Sequence, residues 1–273
     1  LFWSQWMGQY YNADCVKWLA DDWKCSVVRA AMGVGAGGYA TNPDVELKKV
    51  TDVIDAAIAN GIYVIVDFHE HKAESRVTEA RTFFEAISKK YGNTPNIIYE
   101  LYNEPLNVSW TEVIKPYCED LISIIRKNDP HNIIVCGTRN WSQKVSEAAD
   151  NPILQPNIGY VLHFYAGTHK KDLMDEMEYA LNKGICIVVT EYGTTNANGD
   201  GPVWETETKA WWDLMDKYHI SHCNWSVADK KEGSAALKPG SNGKGGWSEE
   251  EITPSGKFVK AMLLEKYTEL MGK

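Results

Sequence analysis

An α/β fold, a single (β/α)8 TIM barrel, is what this sequence predicts, and three observations predict it. Short β-rich apolar runs alternate with longer stretches of helical periodicity from end to end. The stretches can be counted as eight helices against seven strands. No linker or repeat divides the chain; there is only a Gly/Ser/Lys-rich loop from Gly233 to Gly246, so residues 1–273 are expected to form one domain. Length alone decides nothing, since 273 residues fit one barrel or two small domains.

Taken in order, a first helix near Asp14 to Asp21 leads to a strand over Ser26 to Met32. Asn42-Pro43-Asp44 opens a helix running to Asn60, and Asn60-Gly61 closes it before the strand Ile62 to Phe68. The helix Arg76 to Tyr91 precedes the strand Ile97 to Tyr102, and Trp110 to Asn128 precedes Asn132 to Cys136. Gln143 to Asp150 leads to Gly159 to Phe164; Lys170 to Lys183, stopped by Gly184, leads to Ile185 to Thr190. Pro202 to Tyr218 leads to His222 to Ser226, and Thr253-Pro254 opens a last helix reaching Tyr267. Eight helices call for eight strands, so the expected barrel has its first strand truncated just before Leu1. Such an opening would leave strand edges exposed.

Composition narrows the function. Hydrophobic residues make up 44% and charged residues 24%, and no apolar run approaches the roughly 20 residues that span a bilayer. A net charge of -9 with no basic block excludes an electrostatic footprint for nucleic acid or anionic lipid and leaves a neutral or small partner. Eleven Trp exceed what a core of this size needs, and an indole face suits stacking on a sugar ring. Cys15, Cys25, Cys118, Cys136, Cys186 and Cys223 show no C-x-x-C pair, which argues against zinc or a disulfide scaffold and leaves a Cys15–Cys25 bridge as an alternative. Cys136, Cys186 and Cys223, in or beside strand-like runs, read as small buried hydrophobes. No signal peptide is visible ahead of Leu1-Phe2-Trp3.

Barrel chemistry sits at the C-terminal strand ends, where the following loops converge. There the sequence places Arg29, His69-Glu70-His71, Asn103-Glu104-Pro105, Gly137-Thr138-Arg139, His163 and Tyr165, Glu191-Tyr192-Gly193 and Asn224-Trp225. Glu104 and Glu191 each follow an apolar strand, where a lone carboxylate is better explained by acid/base or nucleophilic work than by stability. Cleavage of a glycoside with retention needs two such groups about 5 to 5.5 Å apart.

The run Ile98-Tyr99-Glu100-Leu101-Tyr102-Asn103-Glu104-Pro105 resembles the signature of glycoside hydrolase family 5, the cellulases, and in particular their bacterial endo-β-1,4-glucanases. The resemblance continues through Val28-Arg29-Ala30-Ala31-Met32, Val66-Asp67-Phe68-His69, Gly137 to Gln143, His163-Phe164-Tyr165, Thr190-Glu191-Tyr192-Gly193, Asn224-Trp225-Ser226 and Glu232 to Leu237. It implies a secreted, monomeric retaining endo-β-1,4-glucanase acting on β-glucan or cello-oligosaccharides without cofactor or metal. It further implies Glu104 as acid/base, Glu191 as nucleophile, and Asn103 as partner of the sugar 2-hydroxyl. Arg29 and Tyr165 would keep Glu191 ionised, His69 and His163 would line the reactive subsite, and Trp225 would form a stacking floor. Trp6, Lys230 and Glu232 would bind the next sugar on the non-reducing side, and Trp141 one on the leaving-group side. Two positions depart from close relatives: Gly33 stands where an aromatic is common, and Phe2 where a histidine is.

The same fold and carboxylate pair could serve mannan or xyloglucan, or a non-catalytic carbohydrate-binding barrel. The Lys230/Glu232 pair favours glucan, and intact Glu104 and Glu191 favour catalysis. His69-Glu70-His71 resembles a metal-binding H-x-H, but barrels that use it place it on the first strand and add further His and Asp ligands. Glu100 reads as an ion pair with Arg29, Asp67 as a hydrogen-bonded core group, His71 as a loop residue, and His131, His169 and His219 as solvated.

Overall fold

The computed structural model describes residues 1–272. Among them, seven parallel strands follow one another in chain order in one sheet: β1 Val27–Gly33, β2 Tyr63–His69, β3 Ile97–Glu100, β4 Ile133–Cys136, β5 Ile158–Tyr165, β6 Cys186–Gly193 and β7 His222–Asn224. Helices α1 Ala13–Asp21, α2 Pro43–Ala59, α3 Val77–Tyr91, α4 Lys115–Ile125, α5 Val145–Asp150, α6 Lys171–Asn182, α7 Glu205–Lys217 and α8 Pro254–Met271 connect and flank them. The result is a nearly closed barrel.

Strands covered on both faces read as continuous apolar runs, and β2 is buried at every position after Tyr63. Val135, Val161 and Val188 cluster with Ile98 on one side of the sheet. On the helix side, Phe83 and Phe84 of α3 pack on Phe68, and Trp211 of α7 stacks on Phe164 with ring centroids 4.0 Å apart. Removing a ring of this size from water, on the order of 200 Å², contributes a gross stabilisation of about 5 kcal/mol. The punctuation falls where the residue types require it. Pro43 and Pro254 sit at helix starts, Thr253 Oγ1 accepts from the Gly256 N–H at 3.0 Å, and Gly61 and Gly184 take the left-handed φ of +66° and +89° that ends a helix.

Leu1 to Ser4 run alongside β1, where the Leu1 nitrogen donates to the Arg29 carbonyl at 2.8 Å and the Ser4 N–H to that of Ala31 at 3.0 Å. A cavity of about 290 Å³ adjoins this segment, lined by Leu1, Trp23, Val28, Tyr192, Cys223 and Met262 among others. The six cysteines are unbridged, so the Cys15–Cys25 pairing is not formed, and Cys186 is exposed at the start of β6 and is no core residue. Gly33 leaves room that the Gln5 side chain fills: a Cβ there would meet Gln5 Oε1 at 1.6 Å.

Candidate active site

One guanidinium organises the barrel mouth. Arg29 on β1 is buried, with Nε 2.8 Å from Glu100 Oε2, Nη1 2.9 Å from Glu191 Oε2, and Nη2 within 2.9 Å of Glu100 Oε1, Asn103 Oδ1 and Asp67 Oδ2. Three carboxyls thus face one permanent cation. Burial, relieved only in part by Arg29, pushes Asp67 up to about 7 and raises Glu100 as well. Tyr165 donates its hydroxyl to Glu191 Oε1 at 2.8 Å, and burial followed by the Glu191 charge holds that phenol far above its usual range, so it remains a donor.

Glu191 reaches this cluster through an irregularity. β5 and β6 pair Val161 with Val188 but His163 with Glu191, so β6 contains one residue more than its neighbour over that interval. The slip lets two consecutive side chains contact the site. Thr190 Oγ1 donates to Glu100 at 2.7 Å and faces His163 Nε2 at 2.8 Å, while Glu191 meets Arg29 and Tyr165.

Glu104 follows β3 and the loop residue Asn103. Its Oε1 lies 3.0 Å from His163 Nδ1 and its Oε2 3.1 Å from His71 Nε2. With the Thr190 hydroxyl donating to Glu100, His163 Nε2 serves as the donor to Thr190. Burial alone would raise the Glu104 carboxyl, but the bonds to His163 and His71 outweigh it and hold the group below the ordinary carboxylate range. A general acid calls for the opposite direction, a raised carboxyl, and the sequence did not announce two imidazoles on one carboxyl.

Glu104, His163 and Glu191 each bring one atom to within 4.8 Å of the others. That arrangement could crowd an ion, yet the atoms concerned already answer to Arg29, Tyr165, Thr190, His71 and one another, so charge pairing accounts for it. They share a cleft of about 560 Å³ with His71, Asn140, Trp141, Gln143, Tyr165, His169 and Ala197. His69 is buried beneath this layer with Nδ1 2.5 Å from Asp67, and burial holds it neutral, well below its usual value.

The remaining expected residues divide into groups. Trp141 lines the cleft and is 46% exposed. Trp225, expected as a stacking floor, is 7% exposed, with His69 stacked parallel to it at 5.3 Å and Phe2 packed at 5.0 Å. Trp6, Lys230 and Glu232 gather on the far side of Phe2: Trp6 lies 6.3 Å from that ring, Lys230 Nζ 5.2 Å over it, and Lys230 pairs with Glu232 at 2.5 Å. His169 was expected in solvent. It is partly buried and accepts the Tyr165 N–H on Nδ1 at 2.8 Å. His71, Thr190, Asn140 and Gln143 stand inside the motif runs but had no catalytic or binding role assigned to them, and Trp3 carried no signal of its own.

Comparison with known proteins supplies a context. A family model described as Cellulase (glycosyl hydrolase family 5) matches residues 2–231. Endoglucanase A of Evansella cellulosilytica is 48% identical over 266 residues, covering 96% of this chain and 54% of that protein. Endoglucanase Z of Dickeya dadantii is 50% identical over 267 residues, covering 96% and 61%. The chain therefore spans between half and two thirds of the length of these relatives. A solved structure from Cytophaga hutchinsonii superposes with a TM-score of 0.98 at 56% identity, over 100% of this chain and 89% of that one. The catalytic domain of Thermobifida fusca endoglucanase Cel5A in complex with cellotetraose gives 0.91 at 32% identity, over 96% and 89%.

Proposed function

Because the chain belongs to glycosyl hydrolase family 5, the cellulases, we propose that it is a retaining endo-β-1,4-glucanase that cleaves internal bonds of cellulose-like glucan between Glu104 and Glu191. The observation that carries this reading is the separation of the two glutamates. One carboxylate oxygen of each lies within 4.8 Å of the other, which favours direct attack on the anomeric carbon over the wider spacing of an inverting enzyme.

The roles follow from the surroundings. Glu191, held by Arg29 and Tyr165, presents a charged oxygen to the anomeric carbon and forms a glycosyl ester, while Glu104 delivers a proton to the departing oxygen. Water then loses a proton to Glu104 and displaces the ester. Asn103 turns its Oδ1 to Arg29 and keeps a buried Nδ2 without a partner, a donor suited to the sugar 2-hydroxyl next to the reacting carbon. Trp141 serves the leaving-group side, and Trp6, Lys230 and Glu232 the non-reducing side. No helix among the described residues is long and apolar enough to cross a membrane, and a polymeric substrate places the enzyme outside the cell.

A proton NMR time course with cellopentaose tests the reading. Initial build-up of the β anomer at new reducing ends is expected. Initial α anomer would reject Glu191 as nucleophile, and cleavage of mannan or xyloglucan oligosaccharides in place of cellopentaose would reassign the sugar.

A further inference from the structure

His71 belongs to none of the roles above, yet it touches Glu104 directly. Its position is fixed from three sides. The backbone N–H donates to Glu70 Oε1 at 2.8 Å, the carbonyl accepts from the Tyr102 hydroxyl at 3.1 Å, and the ring stands edge-on to Trp3 at 5.7 Å. What remains is Nε2, 3.1 Å from Glu104 Oε2. The three groups on this line differ in their access to water: the His71 side chain is 39% exposed, Glu104 14% and His163 2%. His71 is the outer end of the line and His163 its dry inner end.

We propose that His71 is a positioning residue that stores and resupplies the proton Glu104 delivers, exchanging it with solvent at the mouth of the cleft. The inference rests on the reading of Glu104 as acid/base. Its charged neighbours are Glu104 from the loop after β3, Glu191 from β6 and Glu70 from its own loop, and the titratable group nearest them is the buried His69, which also packs on Trp3. The hydrogen bond to Glu104 raises the His71 imidazole above its ordinary value; burial opposes this, and the three glutamates add to it. Glu104 Oε2 lies 3.1 Å from His71 Nε2, and the same bond that lowers the carboxyl raises the imidazole, so a proton on this pair is drawn towards His71.

The protons balance over a full turnover. As the bond from C1 to the departing oxygen breaks and that from C1 to Glu191 forms, the oxygen takes a proton from Glu104, which takes one from His71 Nε2; His71 ends neutral. In the second half, water forms a bond to C1, the ester bond breaks, and the water's proton returns through Glu104 to His71. Nothing but water is consumed.

The test compares kcat/KM, which reports only the glycosylation half, for cellotetraose and for 2,4-dinitrophenyl β-cellobioside, whose leaving group departs without a proton. His71→Gln, which keeps a donor but cannot carry a proton, is expected to lose at least about tenfold more on cellotetraose than on the aryl substrate. The basic limb of its pH profile should move to lower pH, and added imidazole should restore activity to His71→Ala. Equal losses on both substrates, or none, would overturn the proposal. Glu104→Gln separates the two ideas: if it still cleaves cellotetraose, the assignment of Glu104 itself fails, whereas if it is dead on cellotetraose while His71→Gln matches the parent, only the role of His71 fails.

Discussion

Arg29 Nη1 and Glu191 Oε2 stand 2.9 Å apart with both side chains almost wholly buried, while the other guanidinium nitrogens are taken by Glu100, Asn103 and Asp67. The group is therefore a fork with every tine occupied. Lysine keeps the charge but offers one compact ammonium, which cannot meet four partners. Arg29→Lys is expected to lower kcat/KM on cello-oligosaccharides by at least about a hundredfold and stability by about 3 kcal/mol, since carboxyls are left buried and underpaired. Thermal melting and steady-state kinetics check this. A lysine variant with parental values would show that charge alone suffices.

Trp141 is presented by an unusual turn, with Asn140, Trp141 and Ser142 all left-handed at φ of 60°, 57° and 56°. Each non-glycine residue there costs about 1 to 2 kcal/mol, offset by bonds from the Trp141 N–H to the Pro105 carbonyl at 2.8 Å and from Ser142 Oγ to that of Asn103 at 2.8 Å. The turn is thereby tied to the loop carrying Glu104. Trp141→Ala should weaken cello-oligosaccharide binding by about 1 to 3 kcal/mol, by analogy with stacked bases, and leave melting nearly unchanged. Calorimetric titration into Glu191→Gln reads it directly, and unchanged affinity would remove Trp141 from the sugar path.

His222 at the start of β7 packs against Tyr192, and burial lowers its imidazole to about 4. A base whose folded value lies below its unfolded value of roughly 6.5 supports the fold when neutral. That support is complete above about pH 6.5 and is lost as pH falls towards 4. Allowing for partial exposure, the loss is on the order of 2 kcal/mol. His222→Gln should flatten the fall in melting temperature between pH 7 and 4, and an equally steep fall in the variant would assign the acid sensitivity elsewhere.

The barrel could be read from the chain because its strands are apolar on both faces and its helices are bounded by Pro, Gly and Asn at their ends. The Arg29 pairing with Glu100 was readable for a similar reason: charges inside apolar strands must find each other. Other features were hidden by distance or irregularity. His71 meets Glu104 through two loops that the sequence does not align, and the extra residue in β6 breaks the alternation from which side-chain direction is inferred. Asn140 is a residue type that tolerates the left-handed region, but nothing announces that Trp141 and Ser142 share it. The packing of Trp225 against His69 and Phe2 was hidden because both neighbours come from segments far away in the chain.

The path from Glu104 through His163, Thr190, Glu100 and Arg29 to Glu191 is one unbroken series of hydrogen bonds drawn from four strands and a loop. A replacement at one link changes what its neighbours can accept, so substitutions along it should show epistasis, with double variants departing from the sum of the singles. Transplanting a single link from a relative would carry over the residue without the context that gives it meaning.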